Sequence, residues 1–228
     1  MAWEDKYRYE VTSVEGFVQQ LAVSYLKNHY WFYVLGDVPD GKDPRAVDAK
    51  LLTRYAVAQS KWAKARAAKR GEAKVQYLRY ASVFVLVATH GEHEFFVAER
   101  ENIKDVRESP VQFYGYSVGY RDGHPHVRIA AAQYRAIRDT FLSGALTLTS
   151  SVLEARFRAL PFEPYGPVKL QLKKLLRKVN RVRRKAGLCR VSVACLRTKR
   201  RTVRPFEAER VLDEVTSGSP DAVGTVAV

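Results

Sequence analysis

Along most of this chain apolar positions recur with one of two periods, and the change of period marks out the elements. From Val14 to about Asn28 the apolar residues Val14, Phe17, Val18, Leu21 and Tyr25 fall at helical spacing. Ahead of them Thr12-Ser-Val-Glu15 has the form of a capping box, in which side chains at both ends satisfy orphan backbone donors. Tyr30 to Leu35 is a β-rich run closed by Gly36 and a Pro39-Asp-Gly-Lys loop. Asp43-Pro44 then offers an N-cap with proline at the first helical position, and Val47, Leu51, Leu52 and Tyr55 carry that helix to roughly Ala58. Ser82 to Thr89 reads as a buried strand, and the mixed, polar stretch Gly91 to Ser109 leaves room for a short helix. Val111 to Tyr120 predicts a strand, Arg121 to Pro125 a turn, and His126 to Ala130 the returning strand of a hairpin. Helical spacing resumes from Ala131 to Leu142 through Tyr134, Ile137, Phe141 and Leu142. This order predicts an α+β fold: an antiparallel or mixed sheet with helices on one face, ferredoxin-like in flavour.

Three prolines and a glycine between Pro161 and Pro167 break any element crossing them, and the strongest pattern in the chain follows. Val168, Leu172, Leu175, Leu176, Val179, Val182 and Ala186 make one continuous helical stripe, with Gly187 where a C-capping glycine is expected. Lysines and arginines fill the rest of the circumference. Cys189 to Leu196 alternates as a strand, Arg197 to Arg204 is a short cationic stretch, and Glu207 to Val215 reads as a last helix. The expected organisation is a body over 1–160, a basic helical C-terminal appendage over 161–215 built as helix-strand-helix, and a tail over 216–228.

Apolar residues at 46% of 228 residues, with 28% charged, describe a globular protein rather than a disordered one. The longest strongly apolar run, Val83 to Ala88, is too short to span a bilayer, and no apolar stretch follows the first residues. Cys189 and Cys195 are too few for a disulfide framework; six apart on a strand, they would share a face and pack as small apolar residues. A cytoplasmic setting is expected.

Charge changes the picture most. The chain has 39 basic and 24 acidic residues, a formal net charge of +15. Val168 to Arg210 holds sixteen of the cations against Glu207 and Glu209, which leaves 23 basic and 22 acidic residues everywhere else. A solvated helix face ordinarily mixes both signs, because like charges one turn apart repel. Fifteen uncompensated cations between Val168 and Phe206 therefore predict a polyanionic partner, DNA or RNA. The expected contacts are Lys169, Lys173, Lys174, Arg177, Lys178, Arg181, Arg184, Lys185, Arg197, Lys199, Arg200, Arg201 and Arg204, directed at phosphates and so without sequence choice. The protein would act as an accessory component among other proteins of a nucleoprotein assembly, or as a scaffold for an acidic protein. The helix has no Trp or Phe on its apolar face, which disfavours a membrane surface. A second basic stretch, Lys61 to Lys74, holds six cations and one acid, and Trp62, Tyr77 and Tyr80 near it could stack on unpaired bases.

Catalytic signatures are sparse. No Walker loop, nucleophile elbow or dinucleotide fingerprint is present, no cofactor is expected, and Asp37, Asp40, Asp43 and Asp48 are accounted for by capping and turns. His124-Pro-His126 followed by Val-Arg-Ile, with Tyr134 beyond, resembles the HUH nicking and rolling-circle replication proteins. That resemblance, over about a dozen residues, implies two strand histidines holding a divalent metal and a helical tyrosine that attacks a DNA phosphate.

Overall fold

A computed structural model describes residues 7–207 as an α+β protein whose strands are all antiparallel and are shared between two sheets. Helix α1 (Val14–Gln19) is capped by Ser13, whose hydroxyl accepts from the Gly16 N–H at 3.0 Å. It widens into a π turn (Gln20–Tyr25), tightens into a 3-10 turn (Leu26–Asn28), and is stopped by His29 in the left-handed region at φ 65°. Strand β1 (Phe32–Asp37) leads to α2 (Pro44–Arg54), where Asp43 caps Arg45 as its sequence predicts, and to α3 (Lys61–Lys69), a helix within the second basic stretch. Strands β2 (Val75–Tyr80) and β3 (Val83–Ala88) form a hairpin. Then come α4 (Glu94–Ala98), β4 (Lys104–Asp105), β5 (Val111–Phe113), β6 (Tyr116–Arg121) and β7 (His124–Ile129). The helices α5 (Ala131–Ser143), α6 (Ser150–Arg158) and α7 (Gly166–Lys185) complete the ordered elements, with a 3-10 turn at Val193–Cys195.

The first sheet has the order β2-β3-β1-β4 and the second is the meander β5-β6-β7. The four-stranded sheet is apolar on both faces, so its strands show little alternation. Tyr33, Leu78, Val85 and Val87 join the main core with α1 and the second sheet. Val34, Tyr77, Leu86 and Ala88 join a smaller core with Tyr55 and Phe95. Inside that smaller core Asp48 is fully buried; it accepts from the Tyr77 hydroxyl at 2.6 Å and pairs with the Arg79 guanidinium at 2.9 Å. Asp48 thus neutralises a buried cation and neither caps nor turns.

Helix α7 is built into the main core. Val168, Leu172, Leu175, Leu176 and Val179 are buried with Phe17, Val118, Phe141 and Leu153, so the same core takes residues from before and after the Pro161–Pro167 stretch. At about 2 kcal/mol per buried aliphatic side chain, those five hold the helix down by roughly 10 kcal/mol before entropy is counted. The predicted strand at Cys189–Leu196 does not form. That segment is irregular apart from its 3-10 turn, Val191, Cys195 and Leu196 pack into the core, and Cys189 is exposed rather than sharing a face with Cys195. Of the last predicted helix only Glu207 lies within the described residues; its remainder and the tail over 216–228 lie outside them. Among the described residues no helix is long and apolar enough to cross a membrane.

Candidate nucleic-acid interface

Two side-chain amides fix α7 along its flanks. On one side Gln171 accepts from the Ile129 N–H at 2.8 Å and donates to its carbonyl at 3.0 Å, so the glutamine takes the place of a further strand beside β7. On the other, Asn180 donates to the Val191 carbonyl at 2.9 Å and accepts from its N–H at 2.8 Å, holding the returning chain against the helix. Between these clamps the outer surface of α7 is cationic. Lys173, Lys174, Arg177, Lys178, Arg181, Arg184 and Lys185 are all exposed, and Lys169 is half-buried at the edge.

Along the Asn180 flank this surface folds into an open groove of about 470 Å³. Lys173, Arg177, Arg181 and Arg184 line it from α7, Arg190 faces them from the returning chain, and Leu176, Asn180 and Val193 complete the lining. None of its five cations forms an ion pair among the described residues. Glu154 on α6 accepts from the Ser192 N–H of the returning chain at 2.9 Å and pairs with Arg158 at 3.2 Å. Lys173 and Arg184 are eleven residues apart, about 16 Å along the helix axis.

Other predicted contact residues have local work. Arg197 pairs with the buried Glu163 at 3.3 Å and donates to the Phe162 carbonyl. Arg200 lies over the Tyr165 ring and donates to its hydroxyl, and Arg204 pairs with Glu207 at 2.8 Å. Lys199 and Arg201 remain exposed, the latter with its backbone N–H on Glu163. The Arg197–Arg204 stretch is thus stitched to the body at Glu163 and again at Gln19, whose amide pairs with the backbone of Val203. Two arginines fell outside the sequence-derived set. Arg190 sits beyond the helical stripe and had no pattern to reveal it. Arg183 is buried (3% exposed) and donates to the carbonyls of Cys189, Ala145 and Leu148 at 2.6, 2.8 and 2.7 Å. Its signal was present in the spacing: Leu172, Leu176, Val179 and Arg183 continue one row of the buried face.

The histidines stand elsewhere. His124 opens β7 straight after the Asp122-Gly123 turn, where both residues have positive φ, and is exposed. His126, two residues on, shares its face and is half-buried; burial, with Arg128 and Arg121 beside it, holds its pKa below the usual histidine value. β7 is an edge strand, which is how it accommodates Pro125. The Tyr134 hydroxyl is directed to α7, where it donates to the Gln171 carbonyl at 3.2 Å, and burial raises its pKa, the opposite of activation. Among the described residues no three His, Cys, Asp or Glu side chains gather so as to hold a metal ion. No protein-family model matches this sequence and no curated protein matches it, so what can be inferred of its activity comes from the residues themselves.

Proposed function

We propose that this protein binds nucleic acid by its phosphate backbone, largely without regard to sequence, as an accessory component of a nucleoprotein assembly. The observation that carries this reading is the groove beside α7, where five cations gather with no ion pair and no acid in the lining among the described residues. One strand of B-form DNA places a phosphate about every 3.4 Å along its axis, so the ~16 Å from Lys173 to Arg184 accommodates about five phosphates for the five cations. The groove's one amide, Asn180, is occupied on the Val191 backbone at both ends and so is not free to read adenine, which supports contacts made mainly to phosphates. Free thiols at Cys189 and Cys195 accord with a cytoplasmic setting.

Binding of labelled duplex and single-stranded DNA and RNA over a range of NaCl concentrations tests the proposal. Five phosphate contacts predict a slope of log affinity against log salt of about −4.5 on duplex DNA. Replacing Arg177, Arg181 and Arg184 together by alanine should flatten it to about −2. Affinity indifferent to salt, or unaltered in the triple variant, would overturn the reading, and tight binding of polyglutamate in place of nucleic acid would transfer the groove to an acidic protein partner.

A further inference from the structure

Helix α3 carries an indole with nothing on it. Trp62 is 80% exposed, the largest exposure among the big apolar side chains, and no aromatic ring or cation lies against it among the described residues. The other two aromatic residues near this basic stretch are placed differently. Tyr77 is fully buried, and Tyr80 packs against the main core with its ring set against Phe113 and Tyr114. The helix itself is well made: Ser60 caps it by accepting from the Ala63 N–H at 3.1 Å, and Ala67 anchors it in the protein. Trp62 is therefore held outward on a formed helix. Arg66 and Lys69, one and two turns on, are exposed and make no ion pair among the described residues, whereas Arg70 is engaged by Glu72 at 2.6 Å.

From this arrangement we infer that Trp62 is a stacking platform for an unpaired nucleobase, with Arg66 and Lys69 taking the adjoining phosphates. The inference rests on the nucleic-acid reading above and adds to it that the bound strand is single-stranded where it meets α3. Charge complementarity selects this occupant. A flat π surface beside two free cations matches a base on its phosphodiester chain. An apolar partner helix or a bilayer would need a wider apolar strip, and α3 offers only alanines around the indole. A paired base keeps its faces inside the stack, so Trp62 separates single strands from duplex.

The experiment compares Trp62→Ala and Trp62→Phe with the wild type on oligo-dT, a duplex of equal length and anionic lipid vesicles. Stacking by one base corresponds to roughly a five- to hundredfold loss of oligo-dT affinity in Trp62→Ala, partly restored in Trp62→Phe, with duplex affinity unchanged. Oligo-dT should also quench tryptophan emission in the wild type and much less in Trp62→Ala. Equal single-strand affinity in the two proteins overturns the platform, while salt-dependent loss in the groove variant would leave the phosphate-binding reading standing. Vesicle binding that depends on Trp62 overturns it as well.

Discussion

Arg183 should behave unlike every other cation on its helix. Its guanidinium is buried with no carboxylate partner among the described residues and is solvated by the carbonyls of Cys189, Ala145 and Leu148. Each such charge-assisted hydrogen bond contributes about 1.5–3 kcal/mol net, but the three are not additive. In Arg183→Met the apolar replacement recovers part of the loss through burial of its methylene groups. A destabilisation of about 3 kcal/mol is expected, equivalent to a fall in Tm of roughly 6–12 °C for a chain of this size. Arg184→Met, one residue on and exposed, should change stability by less than about 0.5 kcal/mol while weakening nucleic-acid binding. Urea unfolding followed by circular dichroism measures the first effect and anisotropy the second. Should Arg183→Met unfold within 0.5 kcal/mol of the wild type, the account of a structural arginine hidden in a binding run is wrong.

Asn180→Ala should release the returning chain from α7. The expected outcome is weaker nucleic-acid binding with every cation intact, read by anisotropy, and a stability loss of about 1–2 kcal/mol in urea. Asp48→Ala leaves Arg79 with only the more exposed Glu10 at 3.1 Å as counter-charge and should cost about 3 kcal/mol, measured in the same way. His93 caps α4 by accepting from the Phe95 N–H at 3.0 Å on its Nδ1, and burial lowers its pKa below 6.5. The unfolded chain therefore takes up the proton more readily than the folded one, so stability gained above this range is lost as the pH falls through it. His93→Asn keeps an acceptor at the cap and should flatten the urea midpoint between pH 7 and 5.

What the residues disclosed followed from whether an element has one buried face or two. The stripe of α7 and the helix of α5 are each buried on one side, so their period is visible in the letters. β2 is buried nearly throughout (Val75, Tyr77, Leu78 and Arg79), with no alternation to mark it beside the basic stretch, and it was missed. The turn between β5 and β6 was missed too: Gly115 (φ 79°) marks its second position, but Tyr114 holds φ 42° at the first, where an asparagine or aspartate before the glycine would have completed the signal. Cys189, Val191, Val193 and Cys195 alternate in sequence, yet only Val191 and Cys195 are buried, and this chain runs along α7 instead of along a strand. In the groove, the helical cations were legible from their spacing. The fifth, Arg190, owes its place to the amide of Asn180, a long-range contact that no local pattern encodes.

Gln171 has a consequence for the protein once it is loaded. In its free state the net charge of +15 keeps copies apart, and the polyanion of the proposed function would cancel that repulsion. An open sheet margin would then invite one molecule to add its strand to the next. The margin of β7 offers little for that. Of its outward-facing backbone positions, Pro125 has no hydrogen to donate and Ile129 is already satisfied by the glutamine, which leaves Val127 between them. On the proposed reading, a neighbouring copy on the same polymer would therefore find too short a margin at β7 to extend this sheet.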